Sequence, residues 1–161
     1  MDGERHLLRT VLLPGHIPWI DRLLLLETYL EKLAPPRVKF FHWLANQDRC
    51  RTAERLAHPG LQHHPCCLLC DQEPETIRHL LLECPFTRQA WHEVLAWLRI
   101  PAPVPNREPS LMDWWKHAKE NTPLILHKAL KSVALLVPWM VWKHRNSCVF
   151  DNAIIHEYAS R

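Results

Sequence analysis

Glycine is scarce in this chain, with only Gly3, Gly15 and Gly60 among 161 residues. Three scattered glycines exclude a phosphate-cradling loop of the Walker or dinucleotide type. They also starve the tight turns of a hairpin-rich β fold. Carboxylates are spread just as thinly. No two of the 17 Asp and Glu residues are adjacent, so the clustered aspartates of a metal-dependent polymerase site are missing. The isolated thiols Cys50 and Cys148 carry no local nucleophile signature. The chain therefore reads as not an enzyme, and no small-molecule substrate is expected. The longest apolar run near the C-terminus, Val133 to Trp142, has ten residues. A membrane span needs about 20. Lys128, Lys131 and Lys143 bracket the run, so it reads as a buried helix with no membrane partner. The N-terminus has no apolar h-region and no small-residue cleavage site. An intracellular protein of nucleus or cytoplasm, not a secreted one, is expected, and a reducing compartment favours metal over disulfide.

What the chain does have is one dense cluster of soft ligands. Cys67-Leu-Leu-Cys70 is followed by His79 and Cys84, a C-x2-C-x8-H-x4-C spacing. Thiolates and imidazoles in this order suit one closed tetrahedral Zn2+ site. The C-x2-C half turns both sulfurs to one metal from a tight turn. His79 and Cys84 fall in a helical-looking stretch, 75–84, where an i to i+5 pair is slightly overwound for one face. Pro85 follows, so Cys84 is expected where the helix frays. Four protein ligands leave no position for a catalytic water, so the role is structural. Two alternatives stay open: Cys66 replaces Cys67 in a C-x3-C clamp, or His63 and His64 donate. Buried free cysteines with a core histidine are the competing reading.

The rest reads as helices. A hydrophobic fraction of 47% supports one domain with a real core. The eight tryptophans supply core volume or, if exposed, stacking platforms. A loosely ordered leader spans 1–18. A helix over Ile20–Leu33 presents Leu23, Leu24, Leu26, Leu30 and Leu33 on one face. A second, over 37–46, should bury Phe40, Phe41, Trp43 and Leu44. Thr52 should cap a short helix over 53–58. Residues 87–99 form an amphipathic helix with Trp91, Val94, Leu95 and Leu98 inward. Pro101, Pro103, Pro105 and Pro109 make a stiff connector over 101–109. Ser110 with Asp113 resembles a capping box for a helix to about Glu120. C-terminal helices over 110–150 are expected to pack on the same domain, the last running 124–148 with a kink at Pro138. A tail, 151–161, closes the chain. The fold class is all-α: a small helical domain around a structural CCHC zinc site.

A formal charge of +3 permits nucleic acid without demanding it. Arg37, Lys39, Arg49, Arg51 and Arg55 lie beside aromatic residues, and Lys143 and Arg145 form a second basic–aromatic cluster with Trp142. Such residues meet phosphates and stack on bases when exposed. The opposing reading makes the aromatics core and the charges a solvated face, and composition alone favours it. A zinc module of this size can equally present a protein-binding surface.

In order along the chain stand Pro35-Pro36-Arg37-Val38-Lys39-Phe40-Phe41-His42-Trp43-Leu44-Ala45, then Arg51-Thr52-Ala53-Glu54-Arg55-Leu56, the C-x2-C pair, Glu75-Thr76-Ile77-Arg78-His79-Leu80, Cys84, Ala90-Trp91, Trp139 and Trp142-Lys143-His144-Arg145-Asn146. Together these pieces resemble the reverse transcriptase zinc-binding domain of plant LINE-type, non-LTR retrotransposon polyproteins. The resemblance covers about residues 35–150, with the zinc-binding-like domain placed at 19–100. It implies that Cys67, Cys70, His79 and Cys84 are the ligands, and that partners are RNA or single-stranded DNA. It also implies plant origin and ancestry in a mobile element. The family's polymerase, endonuclease and RNase H portions have no counterpart in the sequence, so a standalone fragment without polymerase activity is expected. The alternatives are a protein-interaction scaffold stapled by zinc, or a translated remnant with no selected activity.

Overall fold

In a computed structural model of the chain, the described residues are 35–57 and 66–150. The leader, the Ile20–Leu33 helix, the turn with His63 and His64, and the tail lie outside the described residues. Regular structure among those described is helical, without a strand. Among the described residues there are five α-helices: α1 (Pro36–Asn46), α2 (Ala53–Ala57), α3 (Pro85–Trp97), α4 (Leu111–Glu120) and α5 (His127–Phe150). A π-helical turn, His79–Glu83, precedes α3, and a 3-10 turn, Leu124–Leu126, precedes α5.

The central element is α5, which packs against α1, the π-helical turn, α3 and α4. It runs unbroken through Pro138. Leu130, Val133, Leu136, Val137, Met140 and Val141 are buried along it. Each such side chain contributes about 1.5–3 kcal/mol on burial, so together they outweigh the roughly 3 kcal/mol of a mid-helix proline. By length and apolar content alone, Leu124–Phe150 would suffice to cross a membrane; here its apolar stripe is the middle of the core. Near the proline, His42 on α1 donates its Nε2–H to the Leu135 carbonyl at 2.8 Å. A carbonyl only accepts, so Nε2 carries a proton; burial lowers the pKa of His42 below its ordinary 6.5 and outweighs this bond, which pulls the other way.

Helix α1 corrects one expectation. Val38, Phe41 and His42 point inward, at helical spacing. Phe40 and Trp43, expected in the core, fall on the opposite face and are 60% and 52% exposed. A single helix cannot turn four near-consecutive aromatic positions to one side. The exposed pair stacks on itself, with ring centroids 6.0 Å apart.

Helix α4 begins as its sequence predicts: the Ser110 hydroxyl accepts from the Asp113 N–H and donates to Asp113 Oδ2. The final helix starts a turn later than expected, because Pro123 opens the 3-10 turn first. Chain reversals also reflect the shortage of glycine. Asp48, Asp71 and Arg99 hold left-handed backbone, with φ of 50°, 55° and 53°, where glycine would be free of Cβ strain.

The proline-rich segment is strapped down along its length. It has few N–H groups but many carbonyls, and neighbouring side chains donate to them. Trp114 Nε1–H reaches Pro103 O at 2.9 Å, Arg88 reaches Pro105 O at 3.1 Å, and Arg78 reaches the carbonyls of Arg107 and Glu108. Its Ala102 and Val104 pack on one continuous core that runs from Phe41 to Val141.

Candidate metal centre and cationic groove

Two short turns bring four ligand atoms together. In the first, the N–H groups of Cys70 and Asp71 both donate to the Cys67 carbonyl, at 3.3 and 2.7 Å. Asp71 then turns left-handed, and Cys67 N–H returns to Glu73 O at 2.8 Å. The second turn explains the awkward x4 spacing. In an α-helix, positions 79 and 84 sit about 140° apart around the axis. Here the chain widens to i→i+5 bonds, and Cys84 N–H donates to His79 O at 2.7 Å. Cys84 itself is extended (φ −56°, ψ 128°), as the following Pro85 requires.

The widened turn is held from outside. Thr76 Oγ1 accepts from His79 N–H at 2.9 Å, capping the turn. From α3, Thr87 donates to Leu80 O at 2.7 Å and Trp91 Nε1–H to Leu81 O at 3.0 Å. Leu80, Leu82, Thr87 and Trp91 are buried. Trp91 and Trp114 also pack at 4.4 Å between centroids.

The ligand atoms of Cys67, Cys70, His79 and Cys84 all lie within 4.8 Å of one another. Cys67 Sγ is 4.0 Å from Cys84 Sγ, and Cys70 Sγ is 3.3 Å from His79 Nε2. A tetrahedral zinc would set these edges at about 3.8 and 3.6 Å, from its usual bond lengths, so the donor set fits. As a proton-sharing group, the four are strongly coupled. The hydrogen bond to Cys84, reinforced by burial, pushes the Cys67 thiol up, and the same bond draws Cys84 down. Burial raises Cys70, and the bond to Cys67 raises His79. A cation would replace those shared protons. Cys66 is half-buried and outside this group of four.

A second polar centre lies between the ligand turns and α5. Glu75 and Arg145 are 1% and 2% exposed and seventy residues apart. Arg145 Nε donates to Glu75 Oε2 at 3.1 Å, while its Nη2 donates to Oε1. Glu75 Oε1 also accepts the N–H of Ala53, the first residue of α2, at 2.8 Å. Arg145 further reaches Asn146 Oδ1 and lies over the Trp142 ring, 5.3 Å from its centroid. Arg145 was expected to meet nucleic acid; its guanidinium is instead committed inside the core. Thr52, expected to cap α2, is buried, and Glu75 takes the Ala53 N–H from across the fold.

The other predicted cations, Arg37, Lys39, Arg49, Arg51, Arg55 and Lys143, are exposed. Arg55 lies 3.6 Å from Asp48. Arg37, Arg49 and Arg51 converge on one groove of about 510 Å³ between α1 and α5. Phe40, Phe150, Trp139 and Trp142 share its lining, and no carboxylate lines it. Arg49 also sits 5.9 Å from the Trp43 ring centroid.

Residues 24–91 match the family model described as zinc-binding in reverse transcriptase. With the Cys3His group, that match supports a reverse transcriptase zinc-binding domain, the zinc-binding part of such proteins and not the catalytic one. Comparison with curated proteins and with solved structures gives no match. The matched stretch stops at Trp91, yet the carboxylate inside its metal turn is neutralised from α5.

Proposed function

We propose that the chain is a zinc-stapled helical module associated with RNA or single-stranded DNA, without polymerase activity. Cys67, Cys70, His79 and Cys84 hold one Zn2+, which closes the two turns against α3 and serves no chemical step. Four protein ligands leave the metal no open position for water. The observation that carries the nucleic-acid half is the convergence of Arg37, Arg49 and Arg51 on one carboxylate-free groove. Such clustering is the electrostatic footprint of phosphate binding. Arg55 and Lys143 are exposed elsewhere on the surface and add long-range attraction.

The test has two arms. Elemental analysis of purified protein should give about one zinc per chain. Affinity for short RNA should fall steeply with added salt, each phosphate contact steepening the log–log slope by about 0.7 for a single strand. Absence of binding at low salt would sink the nucleic-acid reading and leave the zinc module standing.

A further inference from the structure

We infer that the groove between α1 and α5 is a seat for unpaired nucleotides, in which Phe40 and Phe150 stack on bases while Arg37, Arg49 and Arg51 meet the phosphates. The inference rests on the nucleic-acid reading above and adds the form of ligand, a strand with its base faces uncovered.

Charge selects this groove over its neighbour. A second cleft, of about 500 Å³, has nearly the same volume but is lined by three carboxylates, Asp48, Glu54 and Glu83, against one cation, Arg78. A polyanion would be repelled there. No carboxylate lines the α1–α5 groove; Glu75 lies outside the lining, buried against Arg145, and neutralises that residue alone. Among the described residues, no carboxylate pairs with Arg37, Arg49 or Arg51. At about 510 Å³ the groove lies in the range of small-ligand clefts.

The aromatic rings distinguish a single strand from a duplex. Phe40 is 60% and Phe150 73% exposed, an unfavourable display of apolar surface unless something covers it. Phe40 is already ordered, because it stacks on Trp43 with only 19° between the ring planes, and Arg49 lies over Trp43 in turn. A base laid on Phe40 would extend an existing stack instead of ordering a free ring, which lowers the entropic cost of binding. Trp142 is held against Phe41 and Arg145, so it forms the floor. A duplex hides its base faces and offers only phosphates. An unpaired strand offers both, and aromatic stacking with flanking cations is how such strands are held without sequence preference. An apolar peptide or a second copy of the chain would leave the three arginines unexplained.

The decisive comparison uses the full zinc-bound chain and three fluorescent probes: a short mixed-sequence RNA, an abasic strand of equal length, and a duplex. The mixed strand should bind tighter than the abasic one. Phe40→Ala and Phe150→Ala should each weaken mixed-strand binding by roughly 5- to 150-fold and leave abasic and duplex binding unchanged. Arg49→Ala should flatten the salt dependence on every single strand by roughly 0.7 in the log–log slope. Phe40→Trp should restore the wild-type affinity, and it separates lost stacking from a damaged fold. If the wild type binds mixed and abasic strands alike, or the phenylalanine variants bind as it does, the groove is not a base seat, although phosphate binding survives. If the wild type binds none of the probes, the nucleic-acid reading falls as well. Dimerisation abolished by Phe40→Ala would assign the groove to a second copy and overturn the inference.

Discussion

The four candidate metal-ligand side chains come from the eighteen residues 67–84, whereas Glu75, inside that same stretch, finds its partner seventy residues away on α5. Both centres bury charge, and burying a charge is unfavourable unless it is matched. As thiolates, the cysteines of the proposed zinc site would need a cation that the chain does not encode. The carboxylate takes a guanidinium that the chain does encode, delivered by the last helix. The first solution is local, so its spacing is fixed by turn geometry. The second is non-local and depends on α5 having already docked. On the proposed zinc reading, the two turns are thus clamped twice, from within by a cation and from behind by Arg145.

Removing the inner clamp should have the larger effect. Structural zinc contributes about 10–16 kcal/mol in finger-sized modules, as much as or more than the about 5–15 kcal/mol by which a domain is stable. Cys70→Ser, or a strong chelator, should therefore abolish the zinc and unfold 67–91. The buried Trp91 and Trp114 would report it as a red-shifted fluorescence emission. An unchanged spectrum after metal removal would show that the core stands without the cation.

Breaking the outer clamp should cost less. Arg145→Met leaves Glu75 charged and unpaired in the core, a loss of about 3–5 kcal/mol in chemical denaturation. The double variant Glu75→Leu with Arg145→Met removes both charges and should recover most of that loss. Ala53 N–H then goes unmet, so a deficit of about 1–3 kcal/mol remains. Zinc stoichiometry should survive in both. If Arg145→Met alone also loses zinc at saturating metal, the two clamps are one device, not two.

The same contrast explains what the sequence could and could not disclose. The convergence of the four side chains was legible because the turns are local: C-x2-C and H-x4-C are short enough for spacing to imply geometry. Even so, the π-helical turn was visible only as an overwound pair, since it depends on Thr87 and Trp91 satisfying the Leu80 and Leu81 carbonyls from the next helix. Helices α3 and α4 were legible from the Trp91–Val94–Leu95 stripe and the Ser110–Asp113 cap. The two basic–aromatic clusters looked alike in sequence and have opposite fates. Arg49, over Trp43, and Arg51 remain exposed, while Arg145 beside Trp142 is buried against Glu75. Which fate applies is set by a carboxylate seventy residues off, which no local pattern contains. A polar Glu75 in a helical stretch gave no sign that it would be buried.

A smaller perturbation sharpens the local side of the comparison. Thr87→Val keeps the shape of the side chain but removes the hydroxyl that meets Leu80 O. A buried carbonyl left without a partner costs about 1–3 kcal/mol. If the π-helical turn is what closes the ligand set, zinc affinity should fall along with stability, by a competition titration against a chromophoric chelator. Lost stability with unchanged zinc affinity would mean that the turn is held by the metal alone.

The gentlest probe is protons on α1. Burial lowers the pKa of His42 from 6.5, so the folded state takes up this proton less readily than the unfolded one. Stability is then at its full value above pH 6.5 and declines as pH falls below 6.5 towards the folded-state pKa. One such group gives a slope of at most about 1.4 kcal/mol per pH unit. His144, also lowered by burial, adds in the same direction, and the metal ligands lose their cation in acid as well. The contribution of His42 is therefore read as a difference. His42→Gln keeps a donor for the Leu135 carbonyl but cannot titrate, so its stability should fall less steeply than the wild type's below pH 6.5 and run parallel above it. If the two curves stay parallel throughout, His42 does not titrate differently on folding, and the α1–α5 contact is not where acid first loosens the outer clamp.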